Sequence, residues 1–131
     1  MDEGKQLRML ARQVTQLRFD HAVTLHLWQG DGEVTIRIST RFAVEYGGTT
    51  FEVDPDAGDN LGAALPLLHA EGAEARATPE GGLEMRFAGG LRLTVAPHEA
   101  FEAWEMSDSR GAHVISTPGG ELVVKGEPWV S

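Results

Sequence analysis

From Val14 onward apolar and polar positions alternate with a period of two, which places successive side chains on opposite faces of an extended strand. Thr15, Leu17 and Phe19 alternate with Gln16 and Arg18, and Val23, Leu25 and Leu27 with Thr24, His26 and Trp28. Gly30-Asp31-Gly32 marks a turn, after which Val34, Ile36 and Ile38 resume the pattern. A loop over 29–32 sets Leu27 opposite Val34, Leu25 opposite Ile36 and Val23 opposite Ile38, so that all share one face. A slip of one residue would divide them between faces, so the register is well specified.

The later hairpins follow the same logic. Gly47-Gly48 supplies the positive φ angles of a tight type I′ turn and sets Val44 opposite Phe51 and Phe42 opposite Val53. Pro55 closes that strand, because it cannot donate to a ladder and pushes Asp54 out of the helical region. Across Ala88-Gly89-Gly90, Leu83, Met85 and Phe87 face Val95, Leu93 and Leu91. The last predicted strands are 101–106, 112–117 and 122–125, with a turn over 107–111 that sets Glu105 opposite His113 and Ser116 opposite Glu102. Gly-Gly pairs at 47, 81, 89 and 119 each fall between strand-like runs, the signature of an antiparallel meander.

Two stretches depart from this period. Leu7, Leu10 and Ala11 have helical spacing and predict a short helix over 2–12. Leu61, Ala64, Leu65 and Leu68 fall at i, i+3, i+4 and i+7 and predict a helical lid over 59–71, capped by Asp59 or Asn60 and ended by Gly72. Pro66 lies inside it, where it would cost a straight α-helix about 3 kcal/mol. The better arrangement is a loose turn to Leu65 and then a short helix with Pro66 at its first position, covered more by Leu67 and Leu68 than by Leu61. Ala73, Ala75 and Ala77 then suggest close packing beneath the lid.

The expected fold is therefore mainly β, with an α+β element: an antiparallel meander of ten to eleven short strands forming a curved sheet, sandwich or partly open barrel. The 131 residues are read as a single domain over 1–131, with a strand block at 13–54, the lid at 59–71, a second block at 73–125 and a tail at 126–131.

Composition narrows the function classes. No cysteine is present, which removes disulfides, thiolate metal sites and thiol nucleophiles. The first residues carry acids and no apolar run of the roughly 7–15 residues a secretory signal needs, and no apolar run is long enough for a membrane span. Cytoplasmic residence is the expectation. Twenty acidic against eleven basic residues give a net charge of −9, which repels nucleic acid and anionic membranes and attracts a basic protein.

Chemistry-bearing patterns are few. The Asp54–Asp59 loop has a glycine at its third odd ligand position and no glutamate where an EF-hand needs its twelfth ligand, so its acids read as turn and cap residues. His21 and His26 are oddly spaced along one strand and face apart. Glu105 and His113 could make a base and its orienting carboxylate, but Ser116 falls on the opposite face, so no Ser-His-acid set assembles. No metal site and no cofactor are expected. The remaining candidates form a recognition surface: Trp28, Glu102, Trp104, Glu105 and Trp129, aromatic residues among acids, as at protein interfaces. The competing reading places Trp104 in the core and uses Trp129 to pin the tail to the sheet.

The segments Val14–Asp20 (VTQLRFD), Glu102–Glu105 (EAWE) and Thr117–Gly120 (TPGG), with Val53-Asp54-Pro55 and Leu65-Pro66-Leu67-Leu68, resemble a family of short proteins of unknown function common in actinomycete-type bacteria. The likeness runs from about Val14 to Val124 and implies one intact domain. It implies no activity and no site residue. Ala73, Ala75 and Ala77 depart from it, since longer apolar residues are frequent there. Three functions are open at this level: a non-catalytic protein-binding module of immunity or regulatory type with a basic partner, a curved sheet that holds a small ligand or is weakly catalytic through His26 or His113, and a structural homo-oligomer such as a homodimer.

Overall fold

The computed structural model describes residues 4–130. Twelve strands are formed there: β1 (Lys5–Leu7), β2 (Val14–Phe19), β3 (Val23–Gln29), β4 (Gly32–Ile38), β5 (Phe42–Tyr46), β6 (Thr49–Val53), β7 (Glu74–Ala77), β8 (Leu83–Arg86), β9 (Arg92–Val95), β10 (Trp104–Asp108), β11 (His113–Ser116) and β12 (Leu122–Lys125). They make two antiparallel six-stranded sheets, ordered β1-β7-β8-β9-β5-β6 and β12-β11-β10-β4-β3-β2, and neither closes into a barrel. Their inward faces enclose one apolar cluster drawn from both sheets. Leu25, Ile36, Met85 and Leu93 are fully buried at its centre, so the space between the sheets is filled with side chains. Each such residue contributes about 1.5–3 kcal/mol through burial.

The hairpin registers follow from alternation and turn chemistry. Leu27 pairs with Val34, Leu25 with Ile36 and Val23 with Ile38. Val44 pairs with Phe51 across Gly47 and Gly48, whose φ angles of 61° and 77° are those a type I′ turn demands. Leu83 pairs with Val95 and Met85 with Leu93.

The β10–β11 register differs from the sequence expectation by two residues. Glu105 pairs with Ile115 and Ser107 with His113. Asp108 is the cause: its Oδ1 accepts the N–H groups of Arg110 and Ala112, and its own N–H donates to the Ala112 carbonyl, so the turn is shorter than 107–111.

Among the described residues of the 2–12 stretch no helix forms. The described part of that stretch holds β1, paired through Lys5 to Ala77 and Leu7 to Ala75, while residues 2 and 3 lie outside the described chain. A short helix is marginal on its own, and here its backbone groups find stronger partners far away in sequence. Arg8 N–H donates to Pro128 O and Val130 N–H to Gln6 O, so the tail lies along the edge of β1. Gly4 makes the approach to β7 possible, since a Cβ there would lie 2.0 Å from Ala77 O.

The lid is a 3-10 helix over Leu61–Leu67 with Pro66 in its last turn, in place of a turn followed by a helix starting at Pro66. Three residues per turn align Leu61, Ala64 and Leu67 on the core side. Leu67 is fully buried, whereas Leu68 faces outward with Leu65. Neither Asp59 nor Asn60 caps the helix through its side chain. Asn60 adopts a left-handed conformation and donates its Nδ2 to Glu52 O, tying the lid to β6. Residues 69–73 then run beside the start of β2, with Val14 N–H donating to Ala70 O and Ala73 N–H to Arg12 O.

The lid does not divide the sheets. β5 and β6, before it, join β7–β9, and β10–β12, after it, join β2–β4. Ala73, Ala75 and Ala77 are buried, with Ala75 between Leu7 and Met85 in the sheet.

Candidate functional site

The fold scatters the residues that the sequence groups into one recognition surface. Trp28 is exposed on the outer face of the second sheet, beside Glu33 at the hairpin end. Glu105 lies half-buried on the same face, between Arg37 and Ile115. Glu102 is exposed in the loop before β10. Trp104 points inward, 1% exposed, and is a core residue that no partner could touch. Trp129 is half-buried against β1, bridged to Leu7, with the Lys5 ammonium 5.5 Å from its ring centre. These places match the competing reading of both residues, as core and as tail anchor.

A different grouping emerges at the end of the fold where Trp104 enters. Its indole Nε1 donates to Gly81 O at 3.1 Å, and the buried Ser116 hydroxyl donates to the same oxygen at 2.7 Å. These bonds draw three loops together: 78–82 between β7 and β8, 96–103 before β10, and 117–121 before β12. Gly119 N–H donates to His98 O at 2.9 Å. A Cβ on Gly81 would stand 1.9 Å from Gly120 O, and one on Gly120 would stand 2.1 Å from Glu80 O, so the backbones meet at glycine on both sides.

The outer rim of these loops carries Glu80, Glu99, Glu102 and Glu121, all exposed, and the loops contain no Lys or Arg. Phe101 is 63% exposed among them and lies against the His98 ring at 4.9 Å. Sequence reasoning named only Glu102 from this set. The signal it passed over was the absence of Lys and Arg from each of the Pro-containing loops TPEGG, APHEAFEA and TPGGE.

The outer face of the second sheet is polar and mixed in charge. His113 Nε2 meets Glu105 Oε2 at 3.0 Å diagonally across β10 and β11, despite the shifted register. Ser116 turns inward to Gly81 O, so it stands on the other side of the sheet from His113. His26 Nδ1 lies 3.4 Å from Thr35 Oγ1 and 3.7 Å from Glu33 Oε1. Arg37 approaches Asp20 Oδ2 at 3.6 Å. The Asp20 carboxyl is held below the usual carboxylate range, chiefly by the Ala22 N–H it accepts at 2.7 Å and then by the Arg37 charge.

Asp54 is lowered in the same way, by the Ala57 N–H and then by Arg41, so the acids of the 54–59 loop serve the turn. His21 pairs with Asp56 at 3.3 Å on the surface. Among the described residues no three His, Asp or Glu side chains gather to hold a metal ion, and no helix is long and apolar enough to cross a membrane. On the outer face of the first sheet a shallow groove of about 380 Å³ is lined by Gln6, Glu74, Arg76, Glu84 and Arg86. Ion pairs hold both of its glutamates, with Glu84 Oε1 accepting from Arg86 at 2.9 Å and lying 3.3 Å from Arg92, and Glu74 Oε1 accepting from Arg12 at 3.2 Å.

The chain belongs to a family of unknown function (DUF6188), which matches residues 6–126 and so nearly the whole described fold. The resemblance carried by the sequence segments is to a family of this kind. No curated protein and no solved structure matches the chain.

Proposed function

Since the family assigns no activity, the surface has to supply the reading, and we propose that this protein is a non-catalytic binding module for a basic protein. It would act as an immunity or regulatory protein does, by covering a cationic surface of its partner. The observation that supports this is the locked loop end: Glu80, Glu99, Glu102 and Glu121, and with them Phe101, stand exposed on three joined loops without a single Lys or Arg. The glycine contacts and the bonds to Gly81 O hold these loops in place before any partner arrives, which reduces the ordering cost of binding. The net charge of −9 adds long-range steering toward a basic surface. Phe101 offers the apolar anchor that charge alone does not provide. The small-ligand alternative has less support, because Leu25, Ile36, Met85 and Leu93 occupy the centre between the sheets.

The test is capture from a lysate of the native host at low and high salt, with the wild type and a Glu80→Gln/Glu99→Gln/Glu102→Gln variant. A basic polypeptide held by the wild type, released by salt and lost by the variant supports the proposal. Equal retention by both proteins, or no basic polypeptide retained by the wild type, overturns it.

A further inference from the structure

We infer that β12 is a self-complementary edge through which two copies of this chain pair antiparallel, extending the second sheet across a two-fold axis at Val123. This rests on the edge of the sheet and shares only Glu121 with the glutamate-bearing loop end; Glu80, Glu99 and Glu102, the residues exchanged to test that end, take no part in it.

The sheets have their outermost strands at β1, β6, β2 and β12. An uncovered edge is a template for another strand unless it is blunted. The tail lies along β1. Asn60 Nδ2 occupies the Glu52 carbonyl on β6, whose sequence TTFEV is largely polar. β2 is held at its start by residues 69–73 and carries a register irregularity between Val14 and Gln16. By contrast β12 is regular along all of its pairing with β11, and no segment lies along its outer side among the described residues. It is also apolar on both faces, with Val123 45% and Val124 39% exposed.

The backbone direction fixes which groups are free. Thr117 N–H donates to Glu121 O at 2.9 Å, so the carbonyl of Glu121 points toward β11. Alternation then turns the N–H and C=O of Leu122 and Val124 to the open side. A second β12 running antiparallel can exchange hydrogen bonds with them only in registers that pair like parity.

The side chains choose among those registers. Glu121, Val123 and Lys125 share the outer face, since Leu122 and Val124 alternate inward opposite Ser116 and Val114. Neither the Glu121 carboxylate nor the Lys125 ammonium has an ion-pair partner among the described residues. Centring the axis on Val123 sets Glu121 against Lys125 of the second copy at both ends, and Leu122 against Val124 on the inner side. Val123 then meets its own copy, and with Ile115 beside it makes a continuous apolar row across the junction. Shifting the axis to Leu122 or Val124 places a charge opposite Val123 and loses both ion pairs. So short a strand buries less than a permanent interface needs, and the dimer is a concentration-dependent one.

Sedimentation equilibrium from about 10 µM to about 1 mM, a range suited to a weak dimer, tests this on the full chain. Lys125→Glu and Glu121→Lys each set like charges together, and either should weaken dimerisation on the order of tenfold or more. The double exchange Glu121→Lys/Lys125→Glu restores the pairing and should restore the dimer. All variants keep the native circular dichroism spectrum and melting temperature, because both sites are exposed. Amide exchange gives a register-specific readout: Leu122 and Val124 gain protection as concentration rises, whereas Val123, already bonded to β11, does not. A wild type that stays monomeric throughout, a dimer unaffected by Lys125→Glu, or a double variant that fails to recover overturns the proposal.

Discussion

Trp104 on β10 and Gly81 in the loop between β7 and β8 are joined by an indole N–H donating to a main-chain carbonyl at 3.1 Å, which fastens a strand of one sheet to a loop of the other. That carbonyl is in place because Gly81 has a φ of +96° and sits against the Gly120 backbone. Gly81→Ala would force both a left-handed alanine and a clash with main chain, and should destabilise the fold by about 3 kcal/mol or more. Gly119 has a similar φ of +90° but open space where its Cβ would go. Gly119→Ala should therefore cost only the conformational strain, about 1–2 kcal/mol. Urea denaturation of the two variants measures the difference.

The lid supplies a second contrast between neighbours. Leu67 is fully buried and Leu65 is 55% exposed, because a three-residue turn places them on opposite sides. Leu67→Ala should cost about 2–5 kcal/mol, as for other core leucines, and Leu65→Ala within about 0.5 kcal/mol of nothing. An α-helical lid with Pro66 at its start would have put Leu68 in the covering role, and Leu68→Ala would then match Leu67→Ala in chemical denaturation.

Acid should act on the turn between β2 and β3. The Asp20 carboxylate accepts the Ala22 N–H and faces Arg37, and its pKa is lowered by both. A folded-state pKa below the unfolded one means the contribution is complete above the unfolded value of about 4 and is lost as pH falls through the folded value. Asp20→Asn should therefore narrow the stability gap to wild type as pH drops below about 4. Titration of the Asp20 side-chain carbon by NMR should give a midpoint below that of a free aspartate. A midpoint at or above the free value would remove the basis for this dependence.

Local chemistry made the hairpins legible, and distance hid the rest. The β3–β4, β5–β6 and β8–β9 registers follow from alternation and from glycine turns, both contained within about a dozen residues. The β10–β11 register was two residues off because the Asp108 carboxylate tightens the turn, and an aspartate entering a loop does not announce whether its side chain will do so. Leu7, Leu10 and Ala11 fit a helix as well as they fit buried points on an extended chain. The decision between them rests with β7 and the tail, remote partners that no local period contains. The change of sheet between β4 and β5, and again between β9 and β10, is equally non-local. For the candidate site, Glu102 was readable as an exposed acid, but its neighbours Glu80 and Glu121 arrive from other loops through contacts between glycine backbones.

The tail gives the last prediction, because it sets a cover on one edge while leaving another bare. Trp129 bridges to Leu7, Val130 N–H donates to Gln6 O at 2.9 Å, and Arg8 N–H donates to Pro128 O at 2.6 Å. Trp129 is half-buried, so Trp129→Ala should cost less than the roughly 3–5 kcal/mol of a fully buried tryptophan. Its effect should be local. The Arg8 amide should exchange faster with deuterium, whereas the amides of β4 and β10, at the centre of the other sheet, should change only by the global loss of stability. Lys5→Ala removes the cation above the ring and should cost about 0.5–1 kcal/mol with the Arg8 amide still protected. Uniform acceleration across both sheets in Trp129→Ala would show that the tail and the core open together, and that β1 is held as firmly as the strands beside it.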